Sequence, residues 1–508
     1  MDRRRFLKLV GGCAAGVMVS GCGSSGGFWG SENSGQRPNI LFCITDDQSW
    51  AHAGAYGSKM VNTPAFDRVA REGVLFNHAF VSAPSCCPSR GSALTGQAFY
   101  RLREGAQNHS TFPPDLKVYP NILAEAGYHV GFTGKGWGPG DFKFTRWRHN
   151  PAGRMYASKR QKPQTSKMSP YNYAANFQNF LDKRPEGAPF CFWYGAIEPH
   201  RPFEPGSGLK AGKKLEDAEV PPFLPDCAEV RTDILDYALE VEWADKHLAQ
   251  MLQALEAAGE LDDTIIVVTG DNGMAFPRAK ANLYDYGTRM PLAIRWRERV
   301  KAGRVVDDFV SFTDFAPTFL EAAGIKPLAE MTGRSFMNVL LSKKSGQVDA
   351  SRDHVITGRE RHHPAAFLEG GQSFPCRAIR TKDWLYIRNY KPGRSAAGDA
   401  PAYNDVDGGL TKDYMAANHE SGRNKELFEL AFGPRPAEEL YDLKKDPDQM
   451  NNVAADARYA AVKTKLAKRL QKELVGTEDP RAMGNGDVFD EYPVLTGPYR
   501  KVPAKRRR

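Results

Sequence analysis

The chain has 508 residues, with 69 lysines and arginines against 60 aspartates and glutamates, a formal net charge of +9, and 41% hydrophobic and 11% aromatic content. That length exceeds what one hydrophobic core usually covers, so two domains are expected, and the apolar content excludes a chain disordered throughout. Its cysteines, Cys13, Cys22, Cys43, Cys86, Cys87, Cys191, Cys227 and Cys376, have spacings that indicate neither a zinc module nor a disulfide framework.

The first element is an export address. Arg3-Arg4-Arg5-Phe6-Leu7-Lys8 precedes a Gly/Ala/Val stretch and resembles a twin-arginine signal, and Val19-Ser20-Gly21-Cys22 resembles a lipobox. Residues 1–22 are therefore expected to be a signal, with Cys22 lipidated and 23–37 a flexible leash to a membrane. This places the protein in the periplasm or on the cell surface, where nucleic acid is not the expected partner. A plain secretory signal is the alternative; the apolar stretch from Leu9 to Val19 is too short to span a bilayer.

Ile40 to Ile44 is a continuous apolar run, as in a strand buried on both faces, and it stops at Thr45-Asp46-Asp47. A helix is expected from Pro64 to Glu72. Cys86-Cys87-Pro88-Ser89-Arg90-Gly91-Ser92-Ala93-Leu94-Thr95-Gly96 then predicts a helix from Ser89 to Leu94, with Pro88 in its first turn and Gly96 closing it. Cys86 would precede that helix, near unpaired N–H groups that stabilise anions, with Arg90 as a fixed cation.

A helix from Pro120 to Ala126 leads to a strand at Val130–Thr133, which ends in Gly134-Lys135. The apolar run Phe190–Tyr194 leads to Glu198-Pro199-His200-Arg201, a helix follows from Asp233 to Ala258, and Ile265–Val268 stops at Thr269-Gly270-Asp271-Asn272-Gly273. Alternating strands and helices imply an α/β fold with a mostly parallel central sheet covered by helices. Four strands aim polar groups at one edge, where ligands bind in such sheets. Asp46, Asp47, Asp271 and Asn272 offer only oxygen donors, suited to a hard divalent cation.

Past the last strand-loop units, Arg377 to Arg388 reads as a hairpin, 389–424 as a long loop bordering the cleft, and Tyr459 to Leu474 as a helix. These predict a smaller C-terminal α+β domain with an antiparallel sheet. The boundaries are 38–365 for the main domain and 366–495 for the second, before a basic tail at 496–508 that is either merely solvated or attracts polyanions.

The run from Cys86 to Gly96 resembles the signature of the formylglycine-dependent sulfatases, Cys-x-Pro-Ser-Arg-x-x-x-Leu-Thr-Gly, of the alkaline-phosphatase-like superfamily. The resemblance extends from Pro38-Asn39-Ile40 through Thr313-Asp314-Phe315-Ala316-Pro317-Thr318 to Glu439-Leu440-Tyr441-Asp442-Leu443. It implies that a formylglycine-generating enzyme oxidises Cys86 to formylglycine, whose hydrated aldehyde attacks sulfur. It also implies one Ca²⁺ held by Asp46, Asp47, Cys86, Asp271 and Asn272. Arg90 would steady the nucleophile, and Lys135, His200 and Lys280 would contact sulfate and leaving group, with His200 as the acid.

One position departs from the family. Many sulfatases carry a histidine two residues after the lysine matching Lys135, where it takes a proton and expels sulfate; here that position is Trp137. Either another base serves, with His109 and His52 nearest in sequence, or turnover uses a different group.

Within the family, Asp271-Asn272-Gly273-Met274-Ala275-Phe276-Pro277, Asn282-Leu283-Tyr284 and Gly287-Thr288 resemble the heparan N-sulfatase branch, although Lys280 stands where that branch has arginine. The implied substrate is a sulfated carbohydrate, a glycosaminoglycan or N-sulfoglucosamine. Its neighbouring groups would meet Glu198, Arg201, His109, His362, His363 and Arg377. The alternatives are O-sulfated algal polysaccharide, a phosphonate or phosphate ester, and a non-catalytic glycan-binding lipoprotein.

Overall fold

In β1 (Asn39–Thr45), side-chain alternation decides the layering. Ile40, Phe42 and Ile44 join the apolar cluster on one face of the sheet, while Leu41 and Cys43 join the cluster on the other. A strand buried on both faces must lie inside a sheet with helices on each side. The structure, a computed structural model, describes residues 37–364 and 373–495. The expected signal with Cys22, the leash up to residue 36, the boundary at 365/366 and the tail 496–508 lie outside the described residues.

β1 pairs in parallel with β5 (Phe190–Gly195) and β6 (Thr264–Gly270), and β5 pairs in parallel with β3 (His129–Gly134). The four strands that the sequence singles out are thus adjacent and point the same way. The full order is β4-β3-β5-β1-β6-β8-β2-β7, with β9 beside β2. The added strands are β2 (Val74–Phe80), β4 (Arg154–Met155), β7 (Arg289–Met290), β8 (Leu292–Arg295) and β9 (Arg304–Ser311). β8 runs antiparallel to β6, so the sheet is mixed although mostly parallel. β2 and β9 carry Asn77, His78, Asp307 and Asp308 within their apolar runs, and a register shift falls between Phe76 and His78.

On one face α3 (Tyr119–Glu125) and α6 (Phe315–Ala322) pack onto the sheet, with Phe42 in edge contact with Trp193 at 4.8 Å and Phe319 at 5.7 Å. The other face is covered by α1 (Pro64–Glu72), α4 (Tyr173–Leu181) and the 30-residue α5 (Ala228–Ala257). Helix α5 buries several acids. Asp245 accepts from the N–H groups of Ala65 and Phe66 at the start of α1, so its carboxylate caps that helix.

A second, antiparallel sheet runs β10-β11-β12-β13, formed by His354–Arg359, Cys376–Thr381, Trp384–Asn389 and Glu438–Asp442. β11 and β12 are the expected hairpin, and the sheet's first strand lies upstream of residue 366. Leu466, Leu470 and Leu474 of the C-terminal helix Ala460–Gly476 pack with Ile379, Tyr386 and Leu440 of this sheet and with Phe99 and Tyr100 of the main unit. The stretch 389–424 is not loop throughout: it holds the helix Leu410–Ala417 and the start of another, Gly422–Phe432. Met415 and Leu427 anchor these helices in an apolar cluster too sparse to show as periodicity.

Arg377, expected to read substrate, is instead structural. It is fully buried, its Nε 2.6 Å from Asp479 and its guanidinium 2.8 Å from Glu360, which also binds Arg481. Removing one partner of a buried pair strands the other charge. Arg377→Ala is expected to lower unfolding free energy by about 3–5 kcal/mol, read as the midpoint shift in denaturant; a wild-type midpoint would contradict this role.

Candidate active site

The end of β1 delivers Asp46 and Asp47, and Asp47 is held at φ 70, a left-handed conformation that few non-glycine residues adopt. The turn is pinned by its neighbours. The Asp46 N–H donates to the Glu198 carbonyl at 3.2 Å, the Asp271 N–H to the Thr45 carbonyl at 2.9 Å, and the Asp47 N–H to Asp271 Oδ1 at 3.0 Å. Asn272 Nδ2 donates to Asp47 Oδ1 at 2.6 Å.

Helix α2 (Cys86–Thr95) starts at Cys86 itself, earlier than expected, because Ser85 is extended and serves as the cap residue. Cys86 therefore lies inside the first turn, where backbone N–H groups have no intrahelical partner, rather than ahead of it. Its Sγ is 3.5 Å from Asp46 Oδ1. One ligand atom from each of Asp46, Asp47, Cys86 and His200 lies within 4.8 Å of the others.

Three cations surround these acids. Arg90 is fully buried, with Nε 2.6 Å from Asp271 Oδ2 and Nη1 donating to the Lys135 carbonyl at 2.6 Å. Lys135 Nζ pairs with Asp46 Oδ2. Lys280 Nζ is 2.7 Å from Asp47, 3.0 Å from Asp407 and 3.3 Å from His200 Nε2. Burial alone would raise the Asp46 carboxyl, but Lys135, His200, Arg90 and Lys280 together outweigh it and hold it well below the usual carboxylate range. Burial dominates at Asp271, which is pushed up to about 6 against the pull of Arg90. Burial also pushes the Cys86 thiol well up, despite Lys135.

The donor set fits a hard divalent cation. Asn272 Oδ1 is buried with no hydrogen-bond partner among the described residues, on a side chain that contacts Asp47 and follows Asp271, and further positive charge there would keep Asp271 ionised.

His200 Nδ1 lies 2.6 Å from the Arg201 carbonyl, which fixes the ring with the proton on Nδ1 and turns Nε2 toward Lys280 and Asp47. Glu198 and Arg201 do not face a ligand. Glu198 accepts from the Ser169 N–H and the Tyr173 hydroxyl, and Arg201 is clamped by Asp233 and the Ala275 carbonyl between Phe203 and Phe276. Both acts of binding shape the loop that carries His200.

Other expected residues do converge. His362 Nδ1 is 2.8 Å from Ser85 Oγ, next to Cys86, and the His109 and His363 rings lie 6.3 Å apart. Burial, His363, Arg361, Lys135 and Lys280 lower His109 to about 4, which puts it in the field of the site lysines. His52 is different: its Nδ1 is 2.9 Å from the Tyr237 hydroxyl in the core, so it is no base for this site. Three residues escaped the sequence reading: Asp407, Ser85 and Asn108, whose Oδ1 accepts from the Cys87 N–H at 2.9 Å. Asp407 lies in a Gly/Asp-rich stretch, and no local pattern marks it.

The family model described as Sulfatase matches residues 38–325. The chain belongs to the sulfatase family. It is accordingly a hydrolase of sulfuric esters or sulfamates. The model described as N-sulphoglucosamine sulphohydrolase, C-terminal, matches residues 278–395. The sulfatase is similar to the N-sulphoglucosamine sulphohydrolase of Homo sapiens, 28% identical over 90% of this chain and 93% of that one. It is also similar to an ulvan-active sulfatase of Formosa agariphila, 26% identical over 93% of this chain and 88% of that one. A solved structure in complex with its substrate D-glucosamine-2-N,6-O-disulfate has the same fold, with a TM-score of 0.64, 22% identity, and coverage of 87% of this chain and 99% of that one.

Trp137 does not line this sulfatase's site as a base would. Its indole is buried, packed edge-on against Phe112 at 5.1 Å, with its backbone tied to Asn150 on both sides. Restoring a histidine there would therefore open a void rather than supply a base. Trp137→His is expected to cost about 2–4 kcal/mol of stability with no gain in turnover, checked by thermal unfolding and by sulfate release. Faster turnover in that variant would contradict this placement.

Proposed function

We propose that the chain hydrolyses sulfate esters or sulfamates of a sulfated carbohydrate, with N-sulfoglucosamine-type residues as the first candidates. The carrying observation is the placement of Cys86 in the first turn of a buried helix, facing Asp46 and Asp47 and ringed by Lys135, Lys280 and His200. The N-sulfate preference draws support from the C-terminal match to N-sulphoglucosamine sulphohydrolase and from the relative of that name. Ulvan-active relatives make an O-sulfated algal polysaccharide the second candidate.

A protonated, buried thiol is a poor nucleophile. Conversion of Cys86 to formylglycine supplies a hydrated aldehyde as the attacking group. A calcium ion, when held by Asp46, Asp47, Asp271 and Asn272, supplies polarisation of the sulfate oxygens.

The chain's own side chains account for the remaining work. Lys135 and Lys280 present ammonium groups to a tetrahedral anion, as charge-assisted donors in a site largely closed to water. Their pairing with Asp46 and Asp47 holds each at a fixed angle before substrate arrives. Arg90, locked by Asp271 and the Lys135 carbonyl, braces both the Cys86 helix and the lysine loop. His200, oriented by the Arg201 carbonyl, gives the proton on Nε2 to the departing oxygen or nitrogen when it is doubly protonated. His109, whose ring lies 6.3 Å from that of His363 and whose buried Nδ1 has no hydrogen-bond partner among the described residues, takes the base role that Trp137 does not fill. The twin-arginine-like run and the lipobox-like Cys22 support an exported, tethered enzyme.

Cys86→Ala is expected to abolish sulfate release while leaving the thermal midpoint unchanged; retained turnover would remove Cys86 from the mechanism. A substrate panel of N-sulfoglucosamine, O-sulfated glycosaminoglycan and ulvan fragments, with matched aryl sulfate and aryl phosphate, tests the reading itself. Sulfate release from the carbohydrates and preference for the aryl sulfate are expected; faster phosphate turnover would overturn it.

A further inference from the structure

A surface cavity of about 530 Å³ is lined by Asp115, Leu116, Lys117, Arg146, Trp147, Arg148, His149 and Asn150, among others. That volume is in the range of sites that hold a small ligand. None of the cluster at Cys86 contributes to it. Its wall joins the turn before α3 to the loop that follows β3, so one stretch of chain carries Lys135 at its start and Arg146, Arg148 and Asn150 further on.

The loop is held open from beneath. Asn150 brackets Trp137, accepting from its N–H at 2.9 Å and donating to its carbonyl at 2.8 Å. Thr145 Oγ1 donates to the Phe112 carbonyl at 2.6 Å, and Trp147 Nε1 donates to the Pro113 carbonyl at 3.2 Å. The half-buried Trp147 ring stands edge-on to Phe112 at 5.4 Å, which fixes it as a wall of the cavity.

The cations of this wall are not consumed by the fold. Among the described residues the side chains of Lys117, Arg146, Arg148 and His149 make no hydrogen bond or ion pair, whereas buried arginines such as Arg201 and Arg377 are clamped by carboxylates. Of the two acids lining the cavity, Asp115 is already paired with Arg103, which leaves Glu125 as the opposing charge. Arg146 is also held at φ 66, in the left-handed region, which turns it sharply out of the preceding turn.

Free guanidinium groups bind sulfate and carboxylate in a forked geometry, and an indole face packs against the apolar face of a sugar ring. We propose that this cavity is a second binding site for a sulfated saccharide. Arg146, Arg148 and Lys117 pair with its anionic groups and Trp147 packs against a ring. The inference rests on the carbohydrate reading above and extends it: the substrate is held as a chain, at a place distinct from where one sulfate is cleaved.

The test uses the full protein in a Cys86→Ala background, so that no ligand is turned over, with a heparin hexasaccharide as the probe and its desulfated counterpart as control. Isothermal titration is expected to show about 10-fold or greater weakening of hexasaccharide binding in R146A/R148A, the loss anticipated for two charge-assisted contacts. R146K/R148K should recover part of it, and the desulfated chain should bind weakly throughout. In the Cys86-intact enzyme R146A/R148A should hydrolyse a small aryl sulfate at the wild-type rate. Unchanged hexasaccharide affinity in R146A/R148A overturns the proposal, as does equal binding of the desulfated chain or tighter binding of anionic phospholipid vesicles through the same arginines. Loss of aryl sulfate turnover places the arginines in the catalytic centre and overturns it too. Should the double variant not fold, R148A alone carries the same comparison. A wild-type enzyme that releases no sulfate from any carbohydrate defeats the functional reading separately, because the titration requires no turnover.

Discussion

The balance of charge around Asp46 and Asp47 is the constraint on which the rest of the site depends. Two adjacent carboxylates are buried at the end of a central strand, with a third, Asp271, behind them. Such a group is tolerable only where cations sit among the acids. Arg90 comes from the Cys86 helix, Lys135 from the end of β3 and Lys280 from the loop after β6, so three separate elements must arrive together for the acids to stay ionised. Neutralising the acids and assembling the site are therefore one event. The same lysines that stabilise the acids are the groups proposed to meet a sulfate.

The second sheet completes this arrangement. Its inner face packs Ala378, Leu385 and Ile387 against Leu283 and Tyr284, in the loop that carries Lys280. Arg380 on β11 pairs with Asp285 of that loop, both buried, with contacts of 2.8 Å. From the same side Asp407 reaches Lys280, and His362 reaches Ser85 beside Cys86. The candidate site is thus closed by residues distant in sequence, and the C-terminal part shapes the environment of Lys280 and His200.

The legible part of the site was the part written in local pattern. Apolar runs ending in acids placed Asp46, Asp47, Asp271 and Asn272 at one sheet edge, and the eleven residues from Cys86 marked the reactive helix. Strands β2 and β9 lack a continuous apolar run because polar residues interrupt them, and β9 pairs beside β2 only through long-range register. Arg201 and Arg377 look free in the sequence because nothing local marks an arginine's ion-pair partner. The partners, Asp233 for one and Asp479 with Glu360 for the other, lie 32, 102 and 17 residues away. Asp407 has no local signal, since its place in the site arises from a long-range pairing with Lys280. Trp137 stands out in the sequence, but only packing shows that the indole belongs to the core against Phe112.

Cys86, and not its neighbour Cys87, is the proposed reaction centre. The two thiols are adjacent yet differ in surroundings: Cys86 faces Asp46, while Cys87 Sγ contacts the Pro139 carbonyl on the far side of the turn. Mass spectrometry of the peptide spanning both, from protein made in a host with the formylglycine-generating enzyme, reads this directly. An aldehyde at Cys86 with Cys87 an intact thiol is expected; two unmodified thiols, or an aldehyde at Cys87, would contradict Cys86 as the nucleophile precursor.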